Sequence, residues 1–146
     1  MLLELAVSTL MVLFTVILHG AGLLGLGRLL EMRERSKEHA RVSPASIEGA
    51  FVAVTATVGL LVLHGIEIWL YAVLYRGIGA IETLRDAVYF STITYASIGF
   101  SDAVVTPEWK LLGAIEGING ALLLGWSIAF FVALMTRFMP ARHHDV

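Results

Sequence analysis

Three long apolar segments dominate the chain, and most of its charged residues lie between them. The segments cover residues 2–30, 47–75 and 109–138. Each exceeds the roughly 20 apolar residues needed to cross about 30 Å of hydrocarbon. The pattern therefore predicts an all-α membrane protein with three transmembrane helices. A cleaved signal peptide is the competing interpretation of the first segment, but no Lys or Arg precedes Arg28 to form the basic start that it needs.

The polar stretch between the second and third segments is too short to cross a membrane. Residues 83–86, with the sequence T-L-R-D, fit a capping box and predict a helix over residues 84–95. At 1.5 Å per residue that helix is about 18 Å long, roughly half of the hydrocarbon thickness. We therefore expect a re-entrant helix that stops inside the membrane, followed by an extended return of the chain through residues 97–102.

The composition supports a membrane protein and narrows the function classes. Of the 146 residues, 58% are hydrophobic, above the 45–50% or so of soluble domains. The formal net charge of −2 gives no indication of a nucleic-acid partner, and the absence of cysteine excludes disulfides and thiolate metal sites. The sequence has no nucleophile elbow, P-loop, zinc-protease motif or dinucleotide turn. We therefore expect neither an enzyme nor an organic cofactor.

The basic residues predict the orientation of the chain. Residues 31–46 carry the largest basic cluster, and the positive-inside rule places this linker in the cytoplasm. Arg137 and Arg142 then fall on the same side of the membrane. We expect a multi-pass protein of the cell (inner or plasma) membrane, surrounded by lipids, with its N-terminus outside and a cytoplasmic tail over residues 139–146.

Residues 97–102, with the sequence S-I-G-F-S-D, resemble the T-V-G-Y-G filter of potassium channels followed by its usual Asp. The preceding F-S-T-I-T of residues 90–94 resembles the end of the pore helix in the same family, the two-transmembrane, pore-loop potassium-channel-like ion channels. The resemblance covers residues 84–138. It implies backbone binding of potassium, a monovalent metal ion, by the filter residues Ser97, Ile98, Gly99, Phe100 and Ser101. It implies that Thr94, Asp102, Tyr89 and Phe90 support the filter.

The resemblance also implies an assembly and a domain plan. One loop supplies a single strand of oxygens, so a ring around an ion requires a four-fold symmetric homotetramer. The pore domain is residues 47–138, with an outer helix over 47–75, a pore helix over 84–95, the filter over 97–102 and an inner helix over 109–138. Residues 1–30 form an additional peripheral transmembrane helix. The gating stimulus is not readable, and an unknown regulatory partner stays open.

Two departures from the family pattern leave alternative functions open. Ser101 replaces the second filter glycine, and a non-glycine residue at positive φ costs roughly 1–2 kcal/mol. Phe100 lacks the hydroxyl of the family tyrosine. The first alternative is therefore a weakly selective channel that passes sodium as well as potassium. The second is a non-conducting membrane protein that keeps the pore-loop fold for assembly or regulation.

Intramembrane polar residues form a further prediction. His64 and Glu67 are spaced i, i+3 and can touch, and Glu116 and Asn119 have the same spacing at similar depth. Because ionisable residues in a membrane face the protein interior, we expect these four to form a polar cluster behind the filter, either as a pH sensor or as structural contacts. Gly120 and Gly125 in the third segment are candidate gating hinges, with Gly120 favoured by the family resemblance, and close helix packing is the alternative role for these glycines.

Overall fold

The computed structural model describes residues 1–35, 47–99 and 101–138, and this part of the chain is helical without strands. The helices are α1 (Leu2–Arg35), α2 (Ile47–Gly77), α3 (Leu84–Tyr95) and α4 (Lys110–Phe138), with a 3₁₀ turn at Pro107–Trp109 before α4. Three spans, Leu2–Arg33, Gly49–Gly77 and Pro107–Arg137, are long and apolar enough to cross a membrane. The predicted all-α architecture with three such helices is confirmed.

Two helix boundaries can be compared directly with the predictions. The first helix continues to Arg35, past the predicted end at residue 30, because residues 31–35 are all good helix formers. The third helix has the predicted range and begins as expected: Thr83 is extended, and its Oγ1 accepts the Asp86 backbone N–H at 3.1 Å. The rest of the predicted linker, residues 36–46, the tail 139–146 and Phe100 lie outside the described residues.

The bundle exposes many large apolar side chains and buries a set of polar ones, unlike a typical soluble protein. Large apolar side chains such as Ile17, Leu61 and Ile128 are 65–70% exposed. Four polar side chains of the first helix, by contrast, are buried: Glu4, Ser8, Thr15 and His19. This distribution suits a hydrocarbon solvent, which satisfies the apolar face and leaves polar groups to find partners within the bundle.

Helix α1 packs against both α2 and α4 and runs parallel to α4. At one end Glu4 Oε1 accepts the backbone N–H of Leu111 at 2.7 Å, and at the other Arg137 Nη1 donates to Glu31 Oε1. Small residues allow the close approach of α1 to α2, since a Cβ on Gly22 would lie 2.6 Å from Leu63 Cδ1. The first helix is therefore an integral part of this bundle.

Helix α3 is held between α2 and α4. Its Phe90 belongs to a buried cluster with Tyr71, Tyr75, Ile81 and Leu112, and the Phe90 and Tyr75 rings meet edge to face at 5.3 Å. Ser91 Oγ donates to the Ile68 carbonyl at 3.0 Å. These contacts hold α3 in position between α2 and α4. The candidate site begins at the C-terminal end of α3.

Candidate functional site

The chain turns sharply where α3 ends. Ser97 has a φ of 57°, and its N–H donates to the Thr94 carbonyl at 2.8 Å. The N–H groups of Ile98 and Gly99 both donate to the Ile93 carbonyl, at 2.8 and 3.1 Å. This is a Schellman motif with a serine in the left-handed position that glycine usually takes.

The start of the return is therefore not the extended strand predicted for residues 97–102. The last carbonyls of a helix lack partners within the helix, and here the first N–H groups of the loop satisfy them. Gly99 is also left-handed, with a φ of 59°, and an added Cβ there would meet no atom within 4 Å. Glycine at this position is thus required by the backbone angle and not by lack of space.

The loop and one face of α4 enclose a cleft of about 700 Å³. The cleft brings together six of the predicted site residues, and it lies against Gly113, Gly117 and other small or apolar residues of α4. The six are Phe90, Thr94, Ser97, Gly99, Ser101 and Asp102. Ser97, Ile98, Gly99, Ser101 and Asp102 are exposed in the single chain. Predicted filter residue Phe100 lies outside the described residues.

Glycines of α4 allow its backbone to pack directly against the backbone at the end of α3. A Cβ on Gly120 would lie 2.2 Å from the Tyr95 carbonyl oxygen, and one on Gly117 would lie 3.4 Å from the Thr94 carbonyl oxygen. Gly125, the other candidate hinge, has no neighbouring atom within 4 Å of such a Cβ. Gly120 therefore sets the distance between the loop and the third transmembrane span.

The far side of the loop is held by polar contacts. Ser101 Oγ accepts the Ala103 N–H at 3.1 Å, and Lys110 Nζ lies 2.9 Å from Asp102 Oδ2. The hydrogen bond and the charge of Lys110 lower the pKa of Asp102 below its ordinary value. Thr106 N–H donates to the Ala80 carbonyl at 3.0 Å, which ties the loop to the turn before α3.

The two aromatic residues predicted to support the filter differ in placement. Phe90 is 5% exposed and packs between Tyr75 and Gly113. Tyr89 is 57% exposed on the outer surface of the single chain. Of these two aromatic residues, only Phe90 lies in the interior of a single subunit.

Five buried side chains from all four helices form a closed ring of hydrogen bonds. Glu67 Oε1 contacts His19 Nδ1 at 2.9 Å, and Glu67 Oε2 accepts from the Tyr95 hydroxyl. The Tyr95 hydroxyl also contacts His64 Nδ1 at 2.9 Å. Ser127 Oγ closes the ring, at 3.2 Å from His19 Nε2 and 2.9 Å from His64 Nε2. We call these five residues the histidine ring.

The hydrogens of the histidine ring can be counted. Five contacts need five hydrogens, but an ionised Glu67 with two neutral imidazoles, the tyrosine and the serine brings four. In this state one of the five contacts lacks a hydrogen.

The other two members of the predicted polar cluster lie in separate groups of hydrogen bonds. Glu116 Oε2 accepts from the Tyr75 hydroxyl at 2.6 Å, and Glu116 Oε1 contacts Ser91 Oγ. Asn119 Nδ2 donates to Thr15 Oγ1 at 2.8 Å and contacts the Tyr71 hydroxyl at 3.2 Å. Neither group joins the histidine ring through any of these hydrogen bonds. All four predicted residues, the two here and the His64–Glu67 pair, are 0–9% exposed, which excludes a lipid-facing position.

Several members of these groups were not predicted as site residues: His19, Tyr95, Ser127, Ser91, Tyr75, Thr15 and Tyr71. A signal for the α1 members existed in the sequence, because Glu4, Ser8, Thr15 and His19 recur at spacings of four, seven and four. Such spacing places them on one helical face. For Tyr95 and Ser127 no comparable pattern is present.

The arrangement defines a class of protein: a multi-pass membrane protein in which a half-length helix and its loop are held against a spanning helix. A sequence model described as "Ion channel" matches residues 50–137, which is more than half of the chain. The chain belongs to this ion channel family. The match includes α3, the loop and nearly all of α2 and α4, and it leaves α1 outside. A search of curated proteins and a search of solved structures found no match.

Proposed function

We propose that four copies of the chain form a cation channel and that residues 97–102 line its selectivity filter. The observation that carries the proposal is the position of the loop: it follows a helix of half-membrane length and faces a cleft lined by small residues of α4. Family membership supports ion conduction by this part of the chain. The negative end of the α3 dipole lies beside the loop and favours a cation there.

The exposure of the loop supports assembly into a ring. Residues 97–99, 101 and 102 are exposed in the single chain, yet irregular backbone at membrane depth must be buried in protein or line water. Ile98, 54% exposed, and Ile118, 65% exposed, offer apolar contact area beside the loop. Neighbouring subunits around a water-filled axis satisfy both requirements, and four loops supply the oxygens that surround a dehydrated ion.

Potassium is the proposed ion, and a weakly selective sodium and potassium channel is the second candidate. Ser101 stands at the second filter glycine of the family, and its hydroxyl accepts the Ala103 N–H instead of leaving the loop free. Glycine has no side chain to make this contact, so the serine holds the outer end of the proposed filter by an interaction that the family glycine lacks. The proposed orientation in the cell membrane puts residues 77–108 outside and residues 31–46 and 139–146 in the cytoplasm.

The proposal is tested by assembly mass and by ion flux from liposomes. Purified protein in detergent should have the mass of a tetramer, and liposomes loaded with potassium should lose it through the reconstituted protein. Gly99→Ala should abolish or strongly reduce flux, because alanine is strained at a φ of 59°.

The matched control is Gly79→Ala. Gly79 has a φ of 72° and open space for a Cβ, so alanine there is strained in the same way, but in the turn before α3 and outside residues 97–102. Equal flux losses in the two variants, or a stable monomer or dimer, would contradict the proposal.

A further inference from the structure

The histidine ring holds a combination of donor atoms that the channel proposal does not use. One nitrogen from each imidazole and one carboxylate oxygen of Glu67 lie within 4.8 Å of one another. His19 comes from α1 and the other two from α2, so three donors converge from two spanning helices. Imidazole and carboxylate are the protein ligands that zinc and related dications accept together.

We propose that the histidine ring is a binding site for one transition-metal dication of the zinc class. In a tetrahedral site with bonds of about 2.0–2.1 Å, neighbouring ligand atoms are about 3.3 Å apart. Here His19 Nδ1 and Glu67 Oε1 are 2.9 Å apart, and His64 Nδ1 and Glu67 Oε2 are 3.4 Å apart. These two contacts involve different oxygens of Glu67 and lie near ligand spacing, and all three ligand atoms fall within 4.8 Å of one another, so side-chain adjustment is needed to place them around one metal. The Tyr95 hydroxyl or a water takes the fourth position.

The surroundings of the three donors match those of metal-binding histidines. Such an imidazole almost always donates its second ring N–H to an acceptor, which fixes its tautomer. Ser127 Oγ contacts Nε2 of both His19 and His64, and a hydroxyl oxygen has two acceptor lone pairs. One serine therefore orients both imidazoles with their Nδ1 atoms toward Glu67.

The charge and the access of the site are also compatible with a dication. His19 and Glu67 are fully buried, so little water competes with these ligands for a bound metal. The Glu67 carboxylate offsets part of the charge of the metal. The His64 side chain is 11% exposed and, with Ser127, lines a cavity of about 290 Å³ between α2 and α4. His64 and Ser127 are thus the two ring residues that reach this cavity at the surface of the subunit.

The first measurement uses wild-type protein that carries no histidine tag and has been treated with a chelator. Cobalt(II) should bind once per chain and give the visible absorption of a tetrahedral site, and zinc should displace it. Saturating zinc should also raise the thermal midpoint, since it binds the folded state and joins α1 to α2. Absence of cobalt binding to the wild-type protein would overturn the proposal.

Variants locate the site. We expect His19→Gln, His64→Gln and Glu67→Gln each to weaken binding at least 100-fold. Ser127→Ala keeps all three ligands and should weaken binding 10–100-fold, as loss of an outer hydrogen bond does at other metal sites. The matched control is Glu116→Gln, which changes a buried acid in a separate group of hydrogen bonds and should bind as the wild type does.

Further controls separate the ring from other metal-binding positions. His143 and His144 are adjacent near the end of the sequence, so the double change to Gln tests binding by the tail. If that variant loses the metal while the ring variants keep it, the proposal is wrong. Size-exclusion profiles show whether each ligand variant folds. If a ligand variant does not fold, Ser127→Ala still tests the proposal. Unchanged metal affinity in Ser127→Ala would contradict the proposed orientation of the two imidazoles.

Discussion

Replacing Gly120 tests how closely the loop is held against the spanning helix. A Cβ on Gly120 would lie 2.2 Å from the Tyr95 carbonyl oxygen and 2.9 Å from its carbonyl carbon and Cα, all of them backbone atoms. Restoring an ordinary contact of 3.4 Å therefore requires a relative displacement of about 1 Å between α4 and the end of α3. No rotamer change can relieve the overlap, because no side-chain atom is involved.

The energetic cost follows from this overlap. Overpacking in a tight interior costs typically 1–3 kcal/mol, while alanine in a helix gains about 1 kcal/mol over glycine. Gly125→Ala has the same propensity gain and no neighbour within 4 Å, so it is the matched control. We expect Gly120→Ala to be less stable than Gly125→Ala by about 1–3 kcal/mol.

The assay compares the two variants by thermal unfolding in the same detergent. At roughly 2–4 °C per kcal/mol for a chain of about this size, the midpoint of Gly120→Ala should lie roughly 2–12 °C below that of Gly125→Ala. Potassium flux should also fall in Gly120→Ala, since Tyr95 lies two residues before Ser97. Equal midpoints would refute the close approach of α3 to α4.

Three further changes have distinct expected outcomes. Phe90→Ala should lower stability by about 3–5 kcal/mol in a denaturation experiment, because Phe90 is 5% exposed and packs against Tyr75; a loss below 1 kcal/mol would contradict its burial. Ser101→Gly should raise the potassium preference in bilayer recordings, and unchanged ion ratios would count against Ser101 as the cause of weak selectivity. Lys110→Gln should raise the pKa of Asp102. The contribution of Asp102 to stability is present above its ordinary pKa of 3.8 and is lost as pH falls through the lowered pKa. In the variant the pKa is lowered less, so this contribution is smaller and stability changes less over the same pH range. The effect is small because the pair is exposed, and a pH titration of stability that is identical in both proteins would contradict it.

The spanning helices and the short helix were predictable because their signals are local. Long apolar segments leave few alternatives to a membrane helix, and Thr83 and Asp86 mark the start of α3 through one hydrogen-bonded turn. The end of α1 was less predictable, since charged residues such as Arg33 continue a helix as readily as they form a linker. The burial of His64 and Glu67 followed from the cost of placing them in lipid.

The loop and the histidine ring were not predictable in detail, because they depend on contacts between distant parts of the chain. Serine rarely takes a positive φ, so nothing in the sequence indicates that Ser97 ends α3 in a left-handed turn. The ring requires the axial registers of four helices to bring Tyr95 to His64 and Glu67, and Ser127 to both imidazoles. Spacing along one helix determines which residues share a face, but not which residue of another helix they meet.

The central claim is that residues 97–102 select potassium in a tetrameric pore. The reversal potential of purified protein in a planar bilayer, with potassium chloride facing sodium chloride, tests it most directly. The account predicts a potential near the potassium limit. A potential near zero with current flowing would contradict potassium selectivity and favour the weakly selective channel. Reproducible absence of current across pH values would contradict conduction by this chain.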